Sequence, residues 1–260
     1  MRHKLEDLAL RAGERILKFY EQLDPLEVDH KRDGSPVTAA DMAAHKILTS
    51  GLETLSTLPV VSEEDGVKRL HGATLEDYWL IDPLDGTKDF LKKSAMFTVN
   101  IALIHKDQPV AGVVYAPALD ELYSAWDDKV YFNRQPLQRR QRTREEPIRA
   151  LTSALHPSAE VEEFLKENSI QQVKRVGSSL KFCHIAAGLA DVYPRMSPTA
   201  EWDTAAGQAI AEAAGCVVVD LEHLHRLRYS KTDIINPWFI VFQPGEISPL
   251  RWRGKTLSLQ

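Results

Sequence analysis

Apolar positions near the start of the chain fall on one helical stripe: Leu5, Leu8, Ala9, Ala12, Ile16, Phe19 and Tyr20 recur every three or four places between Leu5 and Leu23. That spacing predicts an amphipathic helix. A second runs from Thr38, a candidate cap, to Leu55, with Met42, Ile47, Leu48, Leu52 and Leu55 on its buried face and Asp41 in its first turn. Between them, Lys31-Arg32-Asp33-Gly34-Ser35-Pro36-Val37 reads as a loop or hairpin. The period then shortens. Leu58-Pro59-Val60-Val61 is a short strand running into Ser62-Glu63-Glu64-Asp65, and Tyr78-Trp79-Leu80-Ile81 is a buried strand that ends on Asp82. Segments 97–104, 110–115, 121–126 and 129–132, separated by turn residues, predict an antiparallel meander. A charged stretch, 138–146, reads as a linker. Beyond it, strand-like segments at 150–151, 172–176, 190–194, 216–220 and 238–242 alternate with helical patterns at 157–166, 179–189 and 204–214. The pattern predicts an α/β protein of alternating layers, with an N-terminal α+β subdomain over 1–145 and a C-terminal α/β subdomain over 146–260.

Composition narrows the class. The 260 residues are 43% apolar, enough to bury a sizeable core. No apolar run is long enough to span a bilayer, and none follows the charged N-terminal residues as a secretory leader would. Cys183 and Cys216 both sit in apolar contexts, which fits buried thiols in a reducing compartment better than a disulfide framework. A cytoplasmic protein is expected. The net charge of −5 argues against general nucleic-acid binding. The run Arg139-Arg140-Gln141-Arg142-Thr143-Arg144 has no interleaved aromatics and reads as a solvated loop.

Candidate chemistry centres on Asp82-Pro83-Leu84-Asp85-Gly86-Thr87. Pro83 fixes its own φ and biases Asp82 towards an extended conformation, so two carboxylates three residues apart are held on one rigid turn with the Leu84 carbonyl between them. Such oxygen atoms are ligands for a hard cation such as Mg²⁺, and the N–H groups of Gly86 and Thr87, at the start of a short helix, suit a phosphate. The same Asp-Pro-x-Asp-Gly pattern is also ordinary turn chemistry. Glu63, at the end of the preceding strand, is a third candidate ligand. On its own, Asp203, before the 204–214 helix, reads first as an N-cap and second as a ligand, and Asp41 first as a partner of the helix dipole and second as a ligand.

Taken in order, Ser62-Glu63-Glu64, Asp82-Pro83-Leu84-Asp85-Gly86-Thr87 and Trp202-Asp203-Thr204-Ala205-Ala206-Gly207 resemble the signatures of the inositol monophosphatase superfamily. Four further segments are similar to its bacterial 3′(2′),5′-bisphosphate nucleotidase branch: Lys31-x-Asp33-x-Ser35-Pro36-Val37-Thr38-x-Ala40-Asp41, Lys88-Asp89-Phe90, Gly177-Ser178-Ser179-Leu180-Lys181 and Tyr193-Pro194-Arg195. The resemblance implies an αβαβα five-layer sandwich and Mg²⁺-dependent removal of the 3′-phosphate from adenosine 3′,5′-bisphosphate, giving AMP, in sulfur assimilation. The sulfated 3′-phosphonucleotide is a second implied substrate. One Mg²⁺ is implied at Glu63, Asp82 and the Leu84 carbonyl, a second at Asp82, Asp85 and Asp203, and a third, weaker one at Glu63 and water. Leu84, Asp85, Gly86 and Thr87 would cradle the phosphate, and Thr87, hydrogen-bonded to Asp41, would activate water with Glu63 beside it. Ser178, Lys181 and Arg195 would face the second phosphate. The implied protein is a monomer or homodimer, with peripheral attachment to the inner membrane left open.

Charge bookkeeping agrees with that implication, because a pocket of four carboxylates repels a phosphate ester unless divalent cations reverse its sign. A haloacid-dehalogenase mechanism needs its second Asp two residues after the nucleophile, whereas here the gap is three and Pro83 stands in it. A Mg²⁺- or nucleotide-sensing protein would not need Thr87 and Asp41 together. An inositol or other sugar monophosphatase on the same scaffold remains the rival enzyme, since only the outer pocket separates the substrates.

Overall fold

The computed structural model describes residues 1–22, 39–65, 75–143, 145–153, 158–245, 247 and 249–257. Helices α1 (Arg2–Gln22) and α2 (Ala39–Leu55) form where the apolar stripes predict them, except that Met42, expected on the buried face of α2, is exposed because the buried stripe runs through Asp41, Ala44, Leu48 and Leu52. The expected loop 31–37, the cap Thr38 and Pro157, expected to open a later helix, lie outside the described residues. Seven strands follow in one sheet and in chain order: β1 (Val60–Ser62), β2 (Asp77–Asp85), β3 (Thr98–His105), β4 (Gln108–Ala116), β5 (Glu121–Trp126), β6 (Lys129–Phe132) and β7 (Gln135–Pro136). Only β1 and β2 pair in parallel. The short α3 (Thr87–Leu91) leaves the end of β2.

The second sheet has the spatial order β11-β12-β10-β8-β9, built from β8 (Arg149–Ser153), β9 (Gln172–Val176), β10 (Val192–Arg195), β11 (Val217–Asp220) and β12 (Phe239–Phe242). β10, β8 and β9 are parallel, and β12 is antiparallel to both its neighbours. Helices α4 (Ala159–Glu167), α5 (Leu180–Ala186) and α6 (Ala205–Ala213) and a terminal hairpin, β13 (Arg251–Trp252) with β14 (Lys255–Thr256), complete the described fold. No helix among the described residues is long and apolar enough to cross a membrane.

Strand alternation creates the layers, because successive side chains leave opposite faces. Trp79, Ile81, Val99, Ile101 and Val113 face α1 and α2, against Leu8, Ala12, Ile16, Leu48 and Leu52. Tyr78, Leu80, Ala102, Ile104 and Val114 face the other way, sharing a core with Phe182 and Ile210 of α5 and α6 and with Tyr193, Val218, Phe239 and Val241 of the second sheet. Val192, Val219, Ile240 and Phe242 form the outermost core with Phe164 of α4 and Trp252. The order is therefore helices, sheet, helices, sheet, helix, as the five-layer expectation has it. Gly112 lets the middle helices approach: a Cβ there would stand 2.4 Å from the Ala206 carbonyl oxygen.

Three details differ from the sequence reading. β2 continues through Pro83 to Asp85 instead of stopping at Asp82. Proline is tolerated because β1 pairs no further than Ile81 and the β2–β3 register shifts between Asp82 and Asp85, so its missing N–H falls at an irregularity. The helix expected over 179–189 closes at Ala186, with Gly188 at φ +70 past its end. The basic run is not a solvated loop throughout: Arg139 donates to the Ile185 and Ala186 carbonyls, and Arg142 is buried with its guanidinium 3.7 Å from Asp191. Carbonyls left open at the end of α5 draw Arg139 in, and the buried Asp191 carboxylate draws Arg142.

Candidate active site

Parallel pairing of β1 and β2 sets Ser62 opposite Ile81, so the residues that follow each strand emerge side by side. Glu63 opens a single 3₁₀ turn, Glu63–Asp65, and Asp82 begins the irregular end of β2. Asp82 Oδ1 accepts the Leu84 N–H at 3.0 Å, which fixes the carboxylate on its own turn. Gly86 then adopts φ +90, a left-handed conformation that glycine takes without penalty, and turns the chain into α3.

Asp85 is the most heavily supported acid. Its Oδ2 accepts the Ser179 N–H at 2.7 Å and lies 2.8 Å from the Ser179 hydroxyl, with Asn100 Nδ2 at 3.4 Å. The same hydroxyl is 2.7 Å from the Asp203 carbonyl and accepts from Asn100 Nδ2 at 2.9 Å. One hydroxyl proton thus serves two acceptors and ties the Asp85 turn to the Asp203 turn. Ser179 and Asn100 were not among the predicted site residues. Asn100 carried a readable signal, a polar residue inside the apolar strand Val99-Asn100-Ile101. If Ser179 positions both acids, Ser179→Ala should weaken divalent-cation binding about tenfold to a hundredfold, read by titration calorimetry, and unchanged affinity would remove it from that role.

All eleven predicted site residues line one cavity of about 430 Å³: Asp41, Glu63, Asp82, Leu84, Asp85, Gly86, Thr87, Ser178, Lys181, Arg195 and Asp203. Glu64, Lys88, Asp89 and Tyr193 also line it and were not singled out as site residues. Asp41 is buried in the wall and is not a surface partner for the α2 dipole. Asp203 is not the α6 cap, which is Thr204; its Oδ2 accepts the Ala200 N–H at 2.9 Å. Glu201, beside it, is buried in an ion pair with Lys231 at 2.6 Å and does not line the cavity.

One predicted contact is corrected. Thr87 Oγ1 donates to the Leu84 carbonyl at 3.2 Å, where the sequence reading paired it with Asp41. The left-handed Gly86 folds Thr87 back over its own turn, so the nearest acceptor lies three residues behind it.

Electrostatics define what the cavity lacks. Burial first, then neighbouring negative charge, pushes Asp41 up to about 8, Glu63 to about 7, Asp203 to about 8, and Asp82 well above the carboxylate range. For Asp41 the neighbours are Glu64 and Glu63; for Asp82 they are Glu63, Asp85 and Asp203. Asp82 Oδ2 is buried with no hydrogen-bond partner among the described residues. One carboxylate oxygen each from Glu63, Asp82 and Asp203 lies within 4.8 Å of the others. An all-oxygen donor set with excess negative charge and an orphaned ligand atom fits a hard divalent cation. In the same cavity, burial lowers Lys181 to about 8 although Asp85, Asp89 and Asp203 oppose the fall. Its ammonium donates to the Ser178 and Val176 carbonyls, and Arg195 donates to Ser197 O at 3.2 Å and Pro198 O at 3.0 Å. Lys181 is buried and Arg195 is partly exposed, and each is held by backbone carbonyls at the cavity lining.

Residues 1–241 match the inositol monophosphatase family. The chain belongs to that family. It is 43% identical over 236 residues to the 3′(2′),5′-bisphosphate nucleotidase CysQ of Escherichia coli K12, covering 90% of this chain and 96% of that protein. The Haemophilus influenzae protein of the same name is 33% identical, covering 90% and 89%. Among solved structures, CysQ from Bacteroides thetaiotaomicron superposes with a TM-score of 0.79 at 38% identity, covering 93% of this chain and 97% of that one. Inositol monophosphatase II from Staphylococcus aureus superposes at 0.73 with 25% identity, covering 94% and 90%. The five-layer order of this family member thus recurs in proteins named for different phosphate esters.

Proposed function

We propose that the chain is a Mg²⁺-dependent 3′(2′),5′-bisphosphate nucleotidase that converts adenosine 3′,5′-bisphosphate to AMP and phosphate in the cytoplasm. The observation that carries this reading is the shared cavity, lined both by the carboxylates and by the backbone-held cations Lys181 and Arg195. A bisphosphate can use the cations as well as the carboxylate-held Mg²⁺, whereas a monophosphate needs only the latter. Identity to the curated nucleotidases over nine-tenths of the chain supports the same choice.

Glu63, Asp82 and the Leu84 carbonyl would hold one Mg²⁺, and Asp82, Asp85 and Asp203 a second. Bound there, the ions supply positive charge to the phosphoryl oxygens and acidify the attacking water. The chain's own residues do the rest. Asp85 and Asp203 are kept in register by Ser179, and Gly86 and Thr87 present backbone N–H groups beside the reacting phosphate. Thr87 Oγ1 has one proton, which it gives to Leu84 O; with that carbonyl holding a cation, the hydroxyl would be free to turn to Asp41 or to water. Thr87→Val should therefore lower kcat about a hundredfold with cation binding retained, and an unchanged kcat would reject the role.

The deciding experiment measures phosphate release from adenosine 3′,5′-bisphosphate and from inositol 1-phosphate, with Mg²⁺ and with chelator, for the natural chain and for Lys181→Ala and Arg195→Ala. A second phosphate bound away from the reacting centre is held in ground and transition states alike, so these variants should raise KM for the bisphosphate and leave inositol phosphate hydrolysis unchanged. Arg195 should show the larger effect, since its guanidinium can make paired contacts. Equal losses on both substrates, or a preference of the natural chain for inositol phosphate, would favour a sugar monophosphatase.

A further inference from the structure

A second cluster of ligating side chains stands outside the cavity. Asp220, His223 and His225 bring one ligand atom each within 4.8 Å of one another, and none of the three lines the site described above. The loop that carries them is internally braced. β11 ends at Asp220, and the chain returns to bridge Val219 with Arg226, while the Asp220 N–H donates to His225 O at 2.9 Å. Leu224, between the histidines, adopts φ +57, and its N–H donates to Asp220 O at 2.9 Å.

That frame orients the carboxylate. Asp220 is 2% exposed, and its Oδ1 accepts the Glu222 N–H at 2.7 Å and the His223 N–H at 3.3 Å. Oδ2 is left facing both imidazoles, 2.8 Å from His223 Nδ1 and 3.9 Å from His225 Nδ1. The two rings lie nearly parallel, at 7° and 5.2 Å between centroids, and both side chains are open to solvent. In a tetrahedral shell with bonds near 2.1 Å, ligand atoms sit about 3.4 Å apart. The two observed separations straddle that value.

We propose that Asp220, His223 and His225 form a surface site for a late first-row divalent cation of the Zn²⁺, Ni²⁺ or Cu²⁺ class, with water completing the shell. Two imidazoles and one carboxylate suit these ions, whereas the all-oxygen set of the cavity suits Mg²⁺. Without the cation, both Nδ1 atoms act as donors, His223 to Asp220 Oδ2 and His225 to Arg226 O at 2.9 Å, because those oxygens only accept. Binding moves each proton to Nε2 or releases it to solvent and gives both Nδ1 lone pairs to the metal. Only ring reorientation is needed, since the carboxylate is already fixed.

The test is Ni²⁺ titration calorimetry of the full chain with Mg²⁺ in large excess, so that the oxygen-only cavity is occupied. One equivalent is expected. His223→Gln/His225→Gln should weaken it at least tenfold with phosphatase turnover intact, and Asp82→Asn should leave it in place. Absence of Ni²⁺ binding by the natural chain, binding that survives the double histidine substitution, or binding lost in Asp82→Asn each overturns the proposal. None of these outcomes depends on the substrate.

Discussion

Asp82→Asn should lower turnover about a thousandfold or more while making the cation-free protein more stable. Both effects follow from one side chain. Asp82 is 1% exposed, is surrounded by Glu63, Asp85 and Asp203, and is shared by both proposed cation positions. Asparagine keeps an Oδ1 to accept the Leu84 N–H, so the turn survives. What disappears is a carboxyl that the cation-free fold must either bury charged or hold protonated, and the anionic oxygen that a cation would take. A cation supplies several kcal/mol of transition-state stabilisation, and a loss of about 4 kcal/mol is about a thousandfold in rate. Removing one of several crowded carboxylates relieves the metal-free fold at the same time. The measurements are kcat at saturating Mg²⁺ and the thermal midpoint in chelator. A variant that stays folded and turns over near the natural rate would remove Asp82 from the site, and a variant that melts earlier in chelator would contradict the electrostatic account.

In chelator, the natural chain should lose stability as pH rises from about 5 to about 8, and Mg²⁺ should abolish that loss. Glu63 titrates near 7 and Asp41 and Asp203 near 8 in the fold, all above their unfolded values. Between the unfolded and folded values, the native state holds protons that the unfolded chain has released, so unfolding releases protons and stability falls with rising pH. The contribution is fully present below about pH 4 and exhausted above about pH 8. Its size is on the order of a few kcal/mol, or a thermal midpoint shift of roughly 5–10 °C for a chain of this length. Cation binding replaces the protons, so Mg²⁺ should raise the midpoint more at high pH than at low. Melting curves across that range, with chelator and with Mg²⁺, read both slopes; a chelated protein equally stable at both ends would remove the buried acid cluster as the cause.

Much of this was legible because the chemistry sits on short motifs at element ends. The period of three to four gave α1 and α2, and alternation gave the meander, because those segments bury one face against a neighbour. Asp82, Asp85 and Asp203 could be named because each adjoins a proline, a glycine or a helix start. Less local features were out of reach. Asn100 lies on β3 and Ser179 at the start of α5, in different layers, and their shared bonding to Asp85 depends on packing that no window of sequence contains. Thr87 was assigned the wrong partner because the direction of its hydroxyl is set by the φ of Gly86. Arg139 and Arg142 look like solvent-facing charge in sequence, yet Arg139 is claimed by the open end of α5 and Arg142 by Asp191.

The close approach at Gly112 has a dynamic consequence. Asp82 and Asp203 lie about 120 residues apart in the chain, one on the first sheet and the other on the turn that leads into α6, which rests against that glycine. A cation held between them, as proposed, would clasp α6 to the first sheet. Opening α6 away from that sheet would then require the clasp to empty, so the slow breathing of this region, and the exchange of its amide hydrogens, would be governed by cation concentration. The outer helix α4 and the terminal hairpin, on the far face of the second sheet, are free of that constraint and open at their own rate.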